Sequence, residues 1–255
     1  MMSQADKAEL FKSLHHMGDP ILLYNIWDAG GAKAIAAAGA KAIATSSWSI
    51  AAAHNYADGE LLPLDFLLHI VRCIVGSTNL PVTVDFEGGY ADDLEILKKN
   101  VTLLLDTGVI GLNFEDQIIG GVGLYPADLQ AKRIEAVREA CLAAKIPAFI
   151  NARTDLFLKE ADTSKHGGLV DEAIHRAKLY KNAGADGFFI PALTDLPLIS
   201  KICDKVEMPV NMMMTGPLTS IGDVSKAGVA RVSYGPLPYF DMVKSIAERF
   251  TSLGK

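Results

Sequence analysis

The chain has 255 residues, 50% of them hydrophobic and 21% charged, with a formal net charge of −6 at pH 7. That length and apolar share can bury a large core, as one big α/β domain or two ordinary ones. The acidic balance, with no basic tail or long like-charge run, argues against a nucleic-acid surface, and no apolar run approaches the roughly 18–20 residues that cross a bilayer.

The opening stretch, MMSQADKAELFKSLHH, predicts a polar leading helix that includes His15 and His16, without the apolar segment of a signal peptide. A strand is expected at 21–26, within ILLYNIWD. AIAAAGAKAIATSS then reads as helix, glycine and a strand at 41–46. PVTVDFE supplies a strand at 81–86, and LLLDTGVIGLNFED a further helix, glycine and strand at 109–115. PAFINARTD (strand 147–153), YKNAGADGFFIPA (186–191), PVNMMM (209–213) and VSKAGVARVSYGP (229–234) continue the series. Gly39, Gly108, Gly184 and Gly228 each stand where a helix stops, able to take the left-handed conformation that closes it. Pro81, Pro147 and Pro209 open strands, a position that tolerates the missing N–H. PLPYFDMVKSIAERFTSLGK leaves room for one final helix.

These strand runs are continuously apolar rather than alternating, as in a sheet covered on both faces. Eight such units in about 250 residues fit a single (β/α)8 TIM barrel over residues 1–255, with an N-terminal helix and one C-terminal helix. A doubly wound open sheet is the alternative, but the turn after the first strand offers only Gly30-Gly31 in place of a GxGxxG fingerprint. Cys73, Cys141 and Cys203 lie far apart in helical segments and form no CxxC pair. Neither a disulfide framework nor a thiolate metal site is suggested, and a reduced cytoplasmic protein is expected.

In a barrel the loops that follow the strands meet around one pocket. The strand ends here carry Asn25, Asp28, Thr45-Ser46-Ser47-Trp48, Asp85, Glu87, Asn113, Glu115, Asp116, the run NARTD (151–155), Asn211, Ser233 and Tyr234, whereas strand beginnings hold mostly proline, alanine and valine. Asp85 and Glu87, two residues apart, would share one side of a strand, with Glu115 ending the next. Carboxylates crowded together repel unless a cation lies between them or one is protonated. Oxygen-only ligands suit Mg²⁺ or Mn²⁺. The same acids could instead cap helices or pair with lysines. Arg153 can grip a substrate carboxylate bidentately or be engaged by Asp155 or Glu115. Thr45, Ser46 and Ser47 either present hydroxyls and N–H groups to an anion or cap the next helix. Gly88-Gly89 would let a ligand or water approach closely. Asp58 lies in HNYADGE, a loop able to fold over the rim. His54 and His166 read as loop residues, and Met212-Met213-Met214 as barrel core. No strand ends on lysine, which argues against a Schiff-base aldolase, and GxSxG, P-loop and HExxH motifs are missing.

From Asn25 to Gly235 the chain resembles the isocitrate lyase/phosphoenolpyruvate mutase superfamily, through TSSWS (45–49), YADGE (56–60), VDFEGGY (84–90), NFEDQ (113–117), NARTD (151–155), PVN (209–211) and GVARVSYG (228–235). The resemblance implies a Mg²⁺-dependent barrel acting on small α-keto acids or their enol forms. By position it implies that Asp85 binds the metal directly, with Glu87, Glu115 and Asp58 in its shell, partly through waters. Ser46, Ser47 and Trp48 would cradle carboxylate and keto oxygens, Arg153 would complete the clamp, and Asn211 would stand on the substrate side. Arg153, Asp58 and Ser46 are the catalytic candidates. The segment after Glu115 departs from the pattern: DQIIGGVGLYPADLQ (116–130) lacks the cysteine of the family lyases and the lysine and asparagine of the phosphonopyruvate mutases, although Gly120, Gly121 and Gly123 suit a mobile lid.

The first expectation is therefore an enolate-forming lyase, a decarboxylase or carbon–carbon lyase with an oxaloacetate-like substrate, since decarboxylation needs charge stabilisation and only a later proton from solvent. The alternatives are phosphoenolpyruvate/phosphonopyruvate mutase or phosphonopyruvate hydrolase chemistry, and a non-catalytic keto-acid-binding barrel. Neither nucleic acid nor membrane is an expected partner. A homo-oligomer, dimer or tetramer, is expected, while the short tail after Gly235 argues against the exchange of a C-terminal helix seen in the family.

Overall fold

The eight apolar runs become eight parallel strands in the computed structural model, which describes residues 2–254. They are β1 (Ile21–Leu23), β2 (Ile43–Ala44), β3 (Val82–Asp85), β4 (Gly111–Glu115), β5 (Phe149–Arg153), β6 (Gly187–Ile190), β7 (Val210–Met213) and β8 (Arg231–Ser233). Each falls inside its expected range and is shorter, β4, β5 and β7 only at the start and the others at the rim, where polar residues leave the ladder and turn into loops. The strand order is β1-β8-β7-β6-β5-β4-β3-β2. A parallel bridge between Ile26 and Thr45 completes the ring, with the Ile26 N–H on the Ala44 carbonyl at 2.9 Å and the Ser46 N–H on the Ile26 carbonyl at 3.2 Å. Ring closure leaves no unpaired edge and decides for the barrel over the open sheet.

The helices α1 (Gln4–Ser13), α2 (Ala29–Ala37), α3 (Ser47–Ala53), α4 (Leu64–Gly76), α5 (Leu94–Leu105), α6 (Ala127–Ala143), α7 (Leu156–Lys159), α8 (Val170–Asn182), α9 (Leu196–Lys205), α10 (Ile221–Lys226) and α11 (Leu237–Leu253) intervene or flank. The four helix-closing glycines have φ between +89° and +100°, as their position after each helix requires. Cys141 and Cys203 are buried in the shell between strands and helices, Cys73 is exposed, and all three are free. Among the described residues no helix is long and apolar enough to cross a membrane.

Helix α1 plugs the N-terminal mouth of the barrel. Ser3 and Asp6 form a capping box at its start, and Gln4 donates to the carbonyls of Leu105 (2.8 Å) and Val109 (2.7 Å). Phe11 meets Phe149 edge to face at 5.5 Å. The helix ends at Ser13, shorter than expected, so that His15 leaves it and stacks flat on Phe149 at 4.3 Å, hydrogen-bonded through Nδ1 to the Phe11 carbonyl at 2.9 Å. Gly187 makes room for this cluster, since a Cβ there would stand 2.8 Å from the Phe149 ring.

At the other end of the chain, α11 lies outside the barrel. Tyr239 and Phe240 pack on Trp48 (5.9 and 4.6 Å), but Phe240, Val243, Ile246, Phe250 and Leu253 stay exposed along the helix, Phe250 by 78%.

Burial, with the Arg231 charge adding to it, pushes His15 down to about 3 from 6.5. A histidine whose folded value is depressed stabilises the fold above its unfolded pKa and loses that contribution as pH falls toward the folded one. Thermal unfolding should therefore show a melting temperature that declines from about pH 6.5 toward pH 3, less steeply in His15→Phe, which keeps the stacking but cannot be protonated. Identical acid limbs in the two proteins would refute this.

Candidate active site

A cavity of about 190 Å³ opens at the C-terminal mouth of the barrel, and Ser46, Ser47, Trp48, Asp58, Asp85 and Arg153 all line it. The ends of separate elements deliver them. Asp85 is the last residue of β3 and Arg153 the last of β5, while Ser46 is the N-cap of α3. Ser46 does cap, its hydroxyl accepting from the Ser49 N–H at 3.3 Å, and it faces the cavity as well. Ser47 donates through Oγ to Asp85 Oδ2 at 3.1 Å, and Asn113 donates through Nδ2 to Asp85 Oδ1 at 3.4 Å.

Arg153 is engaged by its own chain. Nε and Nη2 form a two-pronged pair with Asp155 (2.6 and 3.0 Å), Nη1 lies 2.9 Å from Glu115 Oε2, and Asp85 Oδ2 stands 3.9 Å from Nη1. Burial works against the guanidinium charge, but Asp155, then Glu115 and Asp85, outweigh it and hold the pKa well above the usual arginine value. The ion pair anticipated with Asp155 or Glu115 is made with both, and the group still reaches the cavity.

Glu87 is not where strand geometry put it. β3 stops at Asp85, and Glu87 follows in a left-handed turn with φ +51°, so the two-residue spacing does not set the pair on one strand face. Its Oε2 accepts the N–H groups of Gly59 (2.8 Å) and Glu60 (2.9 Å), which pins the 56–60 loop to the rim and sets Asp58 at the cavity mouth. Glu115 lies beside it as expected, its N–H on the Glu87 carbonyl at 3.0 Å. Burial, then the Asp58 and Asp85 charges, push Glu87 up to about 8. Burial raises Glu115 strongly against the pull of Arg153, and burial of its carboxyl together with Asp85 raises Asp58.

These raised carboxyls bear on a metal. Among the described residues, no group of three His, Cys, Asp or Glu side chains stands as a ready cage, and of Asp85, Glu87 and Glu115 only Asp85 lines the cavity. The donor chemistry nevertheless fits magnesium, which keeps several waters and takes only one or two carboxylates directly. Asp85 presents oxygen to the cavity, and Asp58, Glu87 and Glu115 around it, whose carboxyls burial raises, would release protons to a cation placed beside them.

Other expectations fall elsewhere. Asn211 does not line the cavity; it is 1% exposed in β7, where its Oδ1 accepts from Ser233 at 3.4 Å. Gly89 serves packing rather than ligand approach, since a Cβ would collide with Leu97. Gly88 faces a second, polar recess of about 180 Å³ with Glu60, Tyr125 and Arg133. Gln117 and Ile119 of the glycine-rich lid line that recess instead of the cavity. The lid is a small hairpin bridged at Gln117 and Leu124, with Val122 94% exposed at its tip. Asp116 anchors its base, accepting from Arg176 Nη1 (3.0 Å), Tyr180 Oη (2.8 Å) and the Asp155 N–H (2.9 Å). His166 is buried in a 3₁₀ turn, bonded to the Glu160 carbonyl at 2.9 Å, and His54 is half-buried.

Met213, expected in the core, lines the cavity instead, as does Phe189, which was not singled out. Met212 and Met214 are buried in the core while Met213 between them turns inward, a period-two alternation that was available in the sequence. Asn113, Asn151 and Asn211 gave a similar signal, each a polar residue inside an apolar strand.

Eight parallel strands carrying carboxylates, hydroxyls and an arginine to one end of a closed ring define a (β/α)8-barrel enzyme with a small pocket whose polar groups are set in apolar walls. Residues 11–253 match the family model described as phosphoenolpyruvate phosphomutase. A solved structure from Burkholderia cenocepacia J2315, provisionally called a phosphonomutase, matches with a TM-score of 0.95 at 39% identity, over 99% of this chain and 100% of that one. The 2-methylisocitrate lyase of Escherichia coli (strain K12) is 28% identical over 257 residues, 97% of this chain and 84% of that protein. Oxaloacetate decarboxylase 2 of Pseudomonas putida (strain W619) is 28% identical over 192 residues, 74% of this chain and 61% of that protein. The chain belongs to the phosphoenolpyruvate phosphomutase family, within the isocitrate lyase/phosphoenolpyruvate mutase superfamily.

Glu87 has a folded pKa of about 8 against 4.5 unfolded, so its contribution is full below pH 4.5 and lost as pH rises through 8. In chelator, Glu87→Gln should match the wild type in thermal stability near pH 5 and exceed it near pH 9. A constant difference across that range would show that the carboxyl ionises without penalty.

Proposed function

We propose that the protein is a Mg²⁺-dependent lyase that forms an enolate from a small α-keto acid, by decarboxylation or carbon–carbon cleavage of an oxaloacetate-like substrate. One observation carries this reading: Arg153, the Ser46 and Ser47 hydroxyls and Asp85 converge on a cavity that, among the described residues, no lysine, cysteine or histidine lines. Such a pocket can stabilise negative charge, and Asp58, raised by burial and by Asp85, is the one side chain at its mouth suited to hold a proton. Loss of carbon dioxide next to a keto group needs the charge stabilisation, and a proton only afterwards.

Asp85 would hold magnesium, or manganese, with Asp58, Glu87 and Glu115 around it. When bound, the ion supplies a second positive centre for the keto and carboxylate oxygens of the substrate. Arg153 keeps N–H groups beyond those spent on Asp155 and Glu115, and these would meet the substrate carboxylate and the oxygen on which charge develops. Ser46 would bind the same anion, and Trp48, braced by Tyr239 and Phe240, would form an apolar wall that thins the water around it. Asp58 at the mouth would govern access, with solvent returning the proton after cleavage.

The 39% identity to a provisional phosphonomutase supports the phosphonate reading as well. It is second because, among the described residues, Arg153 is the one basic side chain lining the cavity, a thin provision for a phosphoryl dianion. A homo-oligomer fits the exposed stripe on α11, which a second copy would cover.

Oxaloacetate consumption with added Mg²⁺, followed by ultraviolet absorbance, tests the first reading. Asp85→Ala should abolish metal-dependent turnover, and Arg153→Lys should lower kcat by about 10²–10³, the scale of one lost oxyanion donor. Full activity in Asp85→Ala would sink the mechanism, and new phosphorus resonances from phosphonopyruvate would move the assignment to phosphonate chemistry. Light scattering should show the oligomer falling to a monomer in the Ile246→Glu, Phe250→Glu double variant; a monomeric wild type would rule the contact out.

A further inference from the structure

Below the cavity the barrel interior holds an arginine that pairs with no carboxylate among the described residues. Arg231, the first residue of β8, is 1% exposed. Its Nη2 donates to Asn113 Oδ1 at 3.0 Å, and its Nε and Nη1 find no partner. Burial lowers its pKa to about 9, with the Asp85 charge pulling the other way. A cation kept under such a penalty calls for a role beyond filling space.

The role is legible in what Arg231 touches. Asn113 stands in register with Asp85 on one side and with Asn151 on the other. Its Oδ1 accepts from both Arg231 Nη2 and Asn151 Nδ2 (2.8 Å), and its Nδ2 donates upward to Asp85 Oδ1 at 3.4 Å. An amide is almost symmetric in shape, so its orientation is decided by its partners. The two asparagines alone do not decide it. Asn151 Oδ1 is unpartnered, so both amides can turn over together and keep one hydrogen bond between them. Asn113 would then aim oxygen lone pairs at the Asp85 carboxylate. The acceptor-only Asp85 carboxylate opposes that turn only through a long contact of 3.4 Å, and Arg231 at 3.0 Å removes the choice, because a guanidinium only donates and an oxygen must face it.

We propose that Arg231 is a positioning residue which, acting through Asn113, fixes the Asp85 carboxylate in the orientation that receives the divalent cation. Asp85 is thereby held at both oxygens, Oδ1 by Asn113 and Oδ2 by Ser47 at 3.1 Å. Without Asn113 in place, the carboxylate is free to swing onto Arg153, whose Nη1 is 3.9 Å from Oδ2, and so away from the cation. The inference rests on the reading of Asp85 as the metal ligand. A purely structural Arg231, held over the Phe11 ring at 5.8 Å, would change stability and leave metal affinity alone.

Calorimetric titration of Mn²⁺ into substrate-free protein, with melting temperatures measured in parallel, separates the cases. The variants are Arg231→Gln, Arg231→Lys, Asn113→Leu and the Arg231→Gln, Asn113→Leu double. Glutamine accepts as well as donates and restores the ambiguity, so Arg231→Gln should weaken binding about tenfold, the lower end for groups that orient a metal ligand. Asn113→Leu should weaken it about as much, and the double variant no further, as coupled sites require. Arg231→Lys, still an obligatory donor, should stay within about threefold of the wild type. Additive losses in the double variant, or unchanged affinity in Arg231→Gln, overturn the role of Arg231 alone. A wild-type protein that binds no divalent cation overturns the metal reading beneath it. Should Arg231→Gln not fold, Asn113→Leu decides: wild-type affinity there refutes the relay, and a tenfold loss together with wild-type-like affinity in Arg231→Lys supports it.

Discussion

The guanidinium of Arg153 ties the functional end of the barrel together. It receives Asp155 from the segment after its own strand, Glu115 from the end of β4 and, at longer range, Asp85 from the end of β3. Neighbouring strands therefore share one cation at the level where their ladders stop. Acidic groups outnumber it, and burial first, then their mutual repulsion, raises the carboxyl pKa values of Asp58, Glu87 and Glu115. The rim is built to take up one more positive charge. A divalent ion at Asp85 and an anionic substrate beside it are the reading that uses both signs.

Support for this arrangement comes from two directions. From outside, Glu87 reaches across to the amides of Gly59 and Glu60, so the loop bearing Asp58 is fastened by a residue that does not itself face the cavity. From inside, Asn113 and Asn151 form a polar floor above Arg231. The lid is held at its base by Asp116, Arg176 and Tyr180, and its tip remains free.

Much of this was legible beforehand. Helix, glycine and strand in recurring order located β2, β4, β6 and β8, and apolar runs, three of them opened by proline, located the other four, because both patterns report local backbone chemistry. The polar loading of strand ends located Ser46, Ser47, Trp48, Asp85 and Arg153, all of which line the cavity. Failures came where spacing was asked to fix direction. Glu87 escaped because a left-handed residue after β3 breaks the alternation on which the two-residue rule depends. Asn211 was set on the substrate side and Arg231 was passed over, because a polar residue in an apolar strand shows that it is inside without showing at what depth. His15 belonged to a stacking partner far along the chain, which no local pattern announces.

Ring closure also governs how the chain can reach its native state. β1 pairs with β8, joining Ile21 to Arg231, and the plug formed by α1 needs Leu105, Val109 and Phe149. During synthesis the earliest segment must wait for nearly the last before its contacts exist. Such long-range pairing slows folding and leaves strand margins open to foreign partners in the interval. The barrel is thus acquired as a whole, and a nascent chain stalled before residue 231 would carry an unpaired first strand in need of a chaperone.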